Sequence, residues 1–381
     1  MSPKDNEDKN PTDTLPEPQQ TARDVTKDAF PYITGDEGPR SSGNSLHGIV
    51  FLGELCHWAN FQKEVRTVFN EIKWDKEPVL DRLKPNDLYH SEHFRCGAEI
   101  STSGRYIAHV LNPMSGIATK LGFQLRFGDW HAVKDHLKWM LPDSSDDESA
   151  DDVTRDDETM GQDDNTGDAE GEDQDRKKPK RSIPDYAIID ESHEARALGE
   201  AKHPWRSFPG RWIQGAIQGD AQTETRLRRF VGQIARDMWA ADLKYAFMTN
   251  YRETVFLRRE KVQGKWTLFY SDAIRFDATS DMDNFTVSVR ECMLYLFKIT
   301  SQVPKKGGWS LGGMEKEPLE AWVRIPKRSK KKKTTDNTSA SNKSTDNKHT
   351  GNKSTYADQM TVVRRPKPPA GSAAGPKKTS K

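Results

Sequence analysis

Between Asp143 and Asp175 the chain carries sixteen acidic residues against one basic residue, Arg155, with almost nothing apolar. Like charges at that density repel one another and offer no surface to bury, so the stretch is expected to be a mobile acidic insertion. Any fold must be assembled from the segments on either side of it. The insertion ends in the opposite sign, "RKKPKR" at residues 176–181. A second boundary follows Pro326, beyond which fifteen Lys/Arg face three Asp. Five parts result: a disordered leader over 1–45, a first folded part over 46–142, the acidic insertion with its basic run over 143–181, a second folded part over 182–325, and a disordered basic tail over 326–381.

Composition agrees with that division, since 33% of the 381 residues are hydrophobic and 31% are charged. A chain so polar folds over part of its length only, here an expected roughly 200 to 250 residues. The net charge is +1, so no whole-chain field argues for a nucleic-acid partner and local charge must decide. Cys56, Cys96 and Cys292 are far apart and match no disulfide or zinc spacing, which predicts reduced core thiols. The first twenty residues have no apolar core for a signal peptide, and no run approaches the ~20 apolar residues of a membrane span. The expected setting is intracellular, away from membranes.

The periodicities outside the insertion predict a mixed α/β domain. From "GIVFLGELCHWANFQKEVRTVFNEI" onward apolar residues recur at helical spacing, so folding is expected to begin near residue 47. Residues 99–120 predict a helix that Pro113 kinks or divides, and "FQLRF" predicts a strand. After the insertion, "YAIID" and "ARALGEAK" are strand-length runs joined by the polar "ESHE", a hairpin pattern. Leu227, Phe230, Val231, Ile234 and Met238 then mark one apolar face of a helix. "KYAFMTN", "ETVFLRRE" and "WTLFYS" predict strands, and residues 284–300 a closing helix.

The hairpin carries the chemistry. Alternate side chains of a strand share a face, so Glu200 and Lys202 point together while Ala201 points away and leaves its carbonyl near them. Asp185, on the partner strand, is placed to approach Glu200. Two carboxylates on adjacent strands can hold Mg²⁺ and leave positions for water and a phosphate oxygen, and a lysine beside them can orient that water.

Pro184-Asp185 followed by Glu200-Ala201-Lys202 resembles the signature of the PD-(D/E)XK nuclease superfamily, whose restriction-endonuclease-like core is a central mixed sheet flanked by helices. The element order over residues 99–260 resembles that core, and the layout also resembles uncharacterised fungal proteins with such a domain. The resemblance implies metal-dependent hydrolysis of DNA, with RNA not excluded. It implies Mg²⁺ or Mn²⁺ on Asp185, Glu200, the Ala201 carbonyl and Glu99, and support from Gln233. Glu64, Glu71 and Glu92 are weaker alternatives to Glu99. Relatives often carry Gln-x-x-x-Tyr on the helix bearing Gln233, where this chain has Asp237. Asp/Glu-x-Lys triplets occur six times in the chain, and only that at 200–202 ends an apolar run, follows a Pro-Asp and precedes an amphipathic helix.

Other features extend this expectation. Arg206 and Arg211 alternate with Trp205, Phe208 and Trp212 directly after Lys202, a mixture suited to gripping phosphates and stacking on bases. Arg226, Arg228 and Arg229 add charge on the next helix. "RKKPKR" and "PKRSKKKK" resemble nuclear localisation signals, so a nuclear setting is expected. The acidic insertion is also read as a shield for the basic tail or a DNA groove. The rival reading is a noncatalytic nucleic-acid or protein interaction module on a degenerate fold of the same kind.

Overall fold

The computed structural model describes residues 19–33, 48–81, 93–134, 183–205, 207–281, 283, 285–302 and 308–326. The elements begin with β1 (Gln19–Thr21), α1 (Ala22–Lys27), β2 (Val50–Phe51), β3 (Glu54–His57), α2 (Phe61–Glu71) and β4 (Pro78–Asp81). Next come α3 (Glu99–Tyr106), a π-helical turn (Ile107–Leu111), α4 (Asn112–Lys120), β5 (Leu125–Gly128), β6 (Tyr186–Asp190) and β7 (Ala195–Ala201). Then follow α5 (Pro209–Ile217), α6 (Ala221–Ala240), β8 (Tyr245–Thr249), β9 (Glu253–Val262) and β10 (Lys265–Tyr270). The last are β11 (Ile274–Arg275), α7 (Val289–Thr300), α8 (Leu319–Trp322) and β12 (Val323–Arg324). The acidic insertion, the basic run and the tail lie outside the described residues.

A mixed sheet runs β3-β10-β9-β8-β7-β6-β5, with β11 added on β9. β6 and β7 are antiparallel, whereas β7 and β8 are parallel. A parallel neighbour requires a crossover, and α6 supplies it. Each face of the sheet has its own core. Ala197, Ala201, Tyr186 and Ile188 belong to the core shared with α1, α2, α4 and α7. Leu198 and Ala187 belong to the other, with Leu227, Phe230, Val231, Ile234 and Met238 of α6, the residues that the helical period marked out. Strand parity therefore aims Glu200 and Lys202 toward α6.

The β6–β7 turn is fixed by Asp190, whose Oδ1 accepts from Ser192 N and Glu194 N at 2.9 Å each. Arg196 of β7 pairs with the other Asp190 oxygen. The register that follows sets Tyr186 opposite Gly199, so Asp185 stands one step further, opposite Glu200. Gly199 is required there, because a Cβ would lie 2.3 Å from the Phe247 ring that stacks on Tyr186.

Two expectations need correction. The leader is not wholly unstructured: within residues 19–33, Ala22, Val25, Phe30 and Ile33 are buried in the core. Tyr251 donates to Pro31 O at 2.6 Å, and Ser288 Oγ to Thr26 O at 2.6 Å. Its apolar residues are too sparse to show a period, and burial against another part of the chain is invisible to a local pattern. Residues 50–57, expected to be helical, form β2 and β3, because β10 and β12 offer them strand partners. The interruption expected near Pro113 takes the form of a π turn between α3 and α4. In it Asn112 N bonds to Ile107 O. Proline has no N–H for His109 O, and Arg290 supplies two donors instead, at 2.7 and 3.2 Å. Arg290 and Glu291 are thus structural charges of α7, Glu291 closing a capping box with Ser288.

The cysteines are free, Cys96 and Cys292 being buried. Among the described residues no helix is long and apolar enough to cross a membrane. Replacing Phe30 with Ala should lower stability to urea by about 3 kcal/mol. A change below about 0.5 kcal/mol would mean that residues 19–33 do not dock in solution.

Candidate active site

The end of β7 meets α6 through three polar side chains. Lys202 Nζ lies 2.6 Å from Glu200 Oε1 and donates to Gln233 Oε1 at 3.0 Å. All three residues are buried, with Glu200 3% and Lys202 2% exposed. Strand alternation directs Glu200 and Lys202 to one side, and Gln233 is carried inward by the most buried stretch of α6. Just before β6, Asp185 Oδ2 accepts from Ala201 N at 2.7 Å, so the first acid is anchored to the backbone between the other two motif residues. Glu99, the first residue of α3, feels the charges of Lys202 and Asp185, which act on its carboxyl in opposite directions.

Sequence reasoning treated Asp237 as a broken pattern. It lies one helical turn beyond Gln233, is 8% exposed, and adds its charge to the field at Glu200. Arg236 holds its Oδ1 at 2.7 and 2.9 Å. The i, i+4 spacing from Gln233 was the available signal.

Electrostatics set the site apart. Burial pushes Glu200 up to about 8, with the Lys202 ammonium opposing and Asp185 adding to the rise. Burial likewise raises Asp237 to about 6, against the pull of Arg236. Asp185 and Glu99 are also raised, again chiefly by burial. Glu200 Oε2 and Asp237 Oδ2 are buried without a hydrogen-bond partner. A buried carboxylate oxygen in that state is costly, which makes it a place where a cation or a proton is bound tightly.

The remaining candidates separate. Glu64 is engaged elsewhere, accepting from Trp58 Nε1 at 3.0 Å and Tyr295 OH at 2.7 Å. Glu71 sits at the exposed end of α2, and Glu92 lies outside the described residues. Trp212 cannot stack on a base: it is 4% exposed and packs edge-on against Phe230, with centroids 5.6 Å apart. The helical period of α5 turns it inward, while Arg211 beside it is exposed. Trp205 is half-buried and edge-on to His203 at 4.9 Å. Phe208, at 49% exposure, is the solvent-facing aromatic of this segment. Arg206 lies outside the described residues. Arg228 bonds to Glu224 and to Gly53 O, whereas Arg226 and Arg229 are exposed.

Among the described residues, no group of three or more His, Cys, Asp or Glu is arranged to hold a metal ion. The donors present are two carboxylates on facing strands and the intervening backbone. Mg²⁺ is commonly held by one or two carboxylates, with water and substrate oxygens completing the shell. The lone Glu200 Oε2 beside Asp185 fits that chemistry. No known protein family, curated protein or solved structure matches the chain.

The raised acids have a consequence for metal-free protein. Between the ordinary Glu value of 4.5 and about 8, folded Glu200 keeps a proton that the unfolded chain releases. Stability therefore falls as pH rises through that window, and Asp237 acts in the same sense between 3.8 and about 6. Between pH 5 and 8 the loss should be about 3 to 5 kcal/mol, on the order of ten degrees in melting temperature. Glu200→Gln should flatten the upper half of that decline. Differential scanning calorimetry at a series of pH values in chelator checks this, and a wild-type profile that rises toward pH 8 would contradict it.

Proposed function

We propose that the protein is a metal-dependent nuclease with a restriction-endonuclease-like core, hydrolysing phosphodiester bonds of DNA. One observation carries the reading. Asp185 stands opposite Glu200 on a fixed hairpin register, and Lys202 Nζ occupies one Glu200 oxygen while the other is buried and unpartnered. The PD-(D/E)XK signature requires that convergence, and the order α3, β5, β6–β7, α6, β8 is consistent with its core.

Asp185 and Glu200 are the residues that would hold Mg²⁺ or Mn²⁺, with the Ala201 carbonyl and Glu99 as further oxygens. When bound, the ion supplies Lewis acidity at the phosphate and lowers the pKa of water. Lys202 has three N–H donors, two directed at Glu200 and Gln233. The third is left for the attacking water or a non-bridging phosphate oxygen, where it orients the one or offsets charge on the other. Gln233 fixes the ammonium, and so acts through Lys202.

DNA is the partner that this chemistry fits best, and RNA offers the same phosphodiester. The basic segments 176–181 and 327–333 support a nuclear setting by their resemblance to import signals. The rival, a noncatalytic interaction module, draws on the near-complete burial of Glu200 and Lys202. Calorimetric titration with Mg²⁺ separates the two, because only the nuclease should bind the ion in a way that Asp185→Ala abolishes.

Asp185→Ala, Glu200→Ala and Lys202→Ala should each reduce cleavage by roughly 100-fold or more. Asp185→Ala, at a half-buried position, should leave melting within a few degrees of wild type. Cleavage of a labelled oligonucleotide, with Mg²⁺ and with chelator, is the assay. Activity that survives all three substitutions, or persists in chelator, would show the assignment to be wrong.

A further inference from the structure

The segment that follows Lys202 is bound to a strained turn. Lys202 N donates to Thr249 O at 2.8 Å, Asn250 Nδ2 to Ser207 O at 2.7 Å, and Gly210 N to Glu253 Oε2 at 3.0 Å. Between Asn250 and Arg252 stands Tyr251, with φ of +70° in the left-handed region that bulky residues avoid. Its hydroxyl donates to Pro31 O, so His109 Nδ1, 2.7 Å from the Tyr251 hydroxyl oxygen, donates to that hydroxyl. Those anchors hold a backbone conformation that costs about 1 to 3 kcal/mol on its own.

This arrangement gathers donors and leaves them unsatisfied. Trp205 Nε1, Ser207 Oγ and Arg252 Nε are each buried with no hydrogen-bond partner among the described residues. Ser207 is wholly buried, at 0% exposure. The Arg252 guanidinium lies 6.0 Å from the Trp205 ring, and Asn250, two residues before Arg252, donates to the backbone oxygen of Ser207, so the three residues stand on neighbouring stretches of the loop and the turn. The rest of the Arg252 head reaches Tyr32, with Nη2 donating to its hydroxyl at 3.2 Å. The carboxylate of Glu253, next in the chain, has its Oε2 taken by Gly210 N.

We propose that Trp205 Nε1, Ser207 Oγ and Arg252 Nε form an anion pocket that takes a phosphate of the substrate strand beside the Asp185–Glu200–Lys202 centre. Buried donors without acceptors are uncommon in folded proteins, and three on neighbouring stretches match the several acceptor oxygens of a phosphate. A guanidinium and an indole N–H donate and do not accept, so the pocket selects an anion over a cation. The proposal rests on the nuclease reading for its ligand: a backbone phosphate adjacent to the one cut, held so that the scissile bond meets the lysine.

The test uses full-length protein and two probes, inorganic phosphate and a short single-stranded oligonucleotide. Phosphate should raise the wild-type melting temperature beyond the effect of chloride at equal ionic strength. Ser207→Ala and Arg252→Gln should lose that increment. Both variants should bind the oligonucleotide in Mg²⁺ roughly tenfold more weakly, and Arg252→Gln should reduce the salt slope of binding by about one. kcat/KM should fall in both, while the half-saturating Mg²⁺ stays within about twofold of wild type. Ser207→Ala removes one oxygen from a position that stays filled, so it keeps the test valid if Arg252→Gln fails to fold. A phosphate increment and oligonucleotide affinity unchanged in Ser207→Ala would overturn the pocket. Phosphate binding lost in the variants, with no metal-dependent cleavage by wild type, would overturn the nuclease reading and leave the pocket standing. An equal response of DNA and RNA oligonucleotides would make the phosphate alone the recognised group.

Discussion

The Lys202 ammonium, buried between a strand and a helix, is the interaction on which the rest of this structure turns. Removing a primary ammonium from water is expensive unless oxygen acceptors surround it, and two are supplied, one from β7 and one from α6. That demand fixes how α6 lies on the sheet: Gln233 must face inward at the point where its neighbours Phe230 and Ile234 are already packed on β7 and β8. The crossover that makes β7 and β8 parallel thus also brings the amide to the lysine. A polar triad in this setting contributes little net stability, because each partner loses water as well. Its retention in a buried position is accounted for by what it leaves over.

What it leaves over is negative charge. Asp185, Glu99, Glu200 and Asp237 surround the site, while Lys202 and Arg236 answer with one positive charge each. Burial raises all four acids, and Glu200 and Asp237 each keep an oxygen with no partner. A field of that kind favours a proton or a cation. The adjoining turn has the opposite character, with unpaired donors on Trp205, Ser207 and Arg252.

The hairpin, α6 and the strands after it were legible from sequence because their patterns are local. "YAIID" and "ARALGEAK" declare strands, and Leu227 to Met238 declare one helix face. The convergence of Asp185, Glu200 and Lys202 followed from strand alternation and the hairpin register that Asp190 sets, whereas Gln233 was offered only by the resemblance to the nuclease signature. What stayed hidden depends on distant partners. Residues 19–33 fold because Pro31 and Thr26 accept bonds from Tyr251 and Ser288, more than 200 positions away. The π turn at 107–111 depends on Arg290. Trp212 was misplaced for a related reason: an aromatic next to arginines has the composition of a binding loop, whereas the helix that begins at Pro209 gives it a periodicity that points it into the core.

Diffraction from crystals soaked in Mn²⁺, measured for anomalous signal, addresses the central claim most directly. The account requires a peak within bonding distance of Asp185 and the free oxygen of Glu200, with Lys202 still on the other oxygen. No peak there, or an ion bound elsewhere while the Glu200–Lys202 contact seals the position, would contradict it.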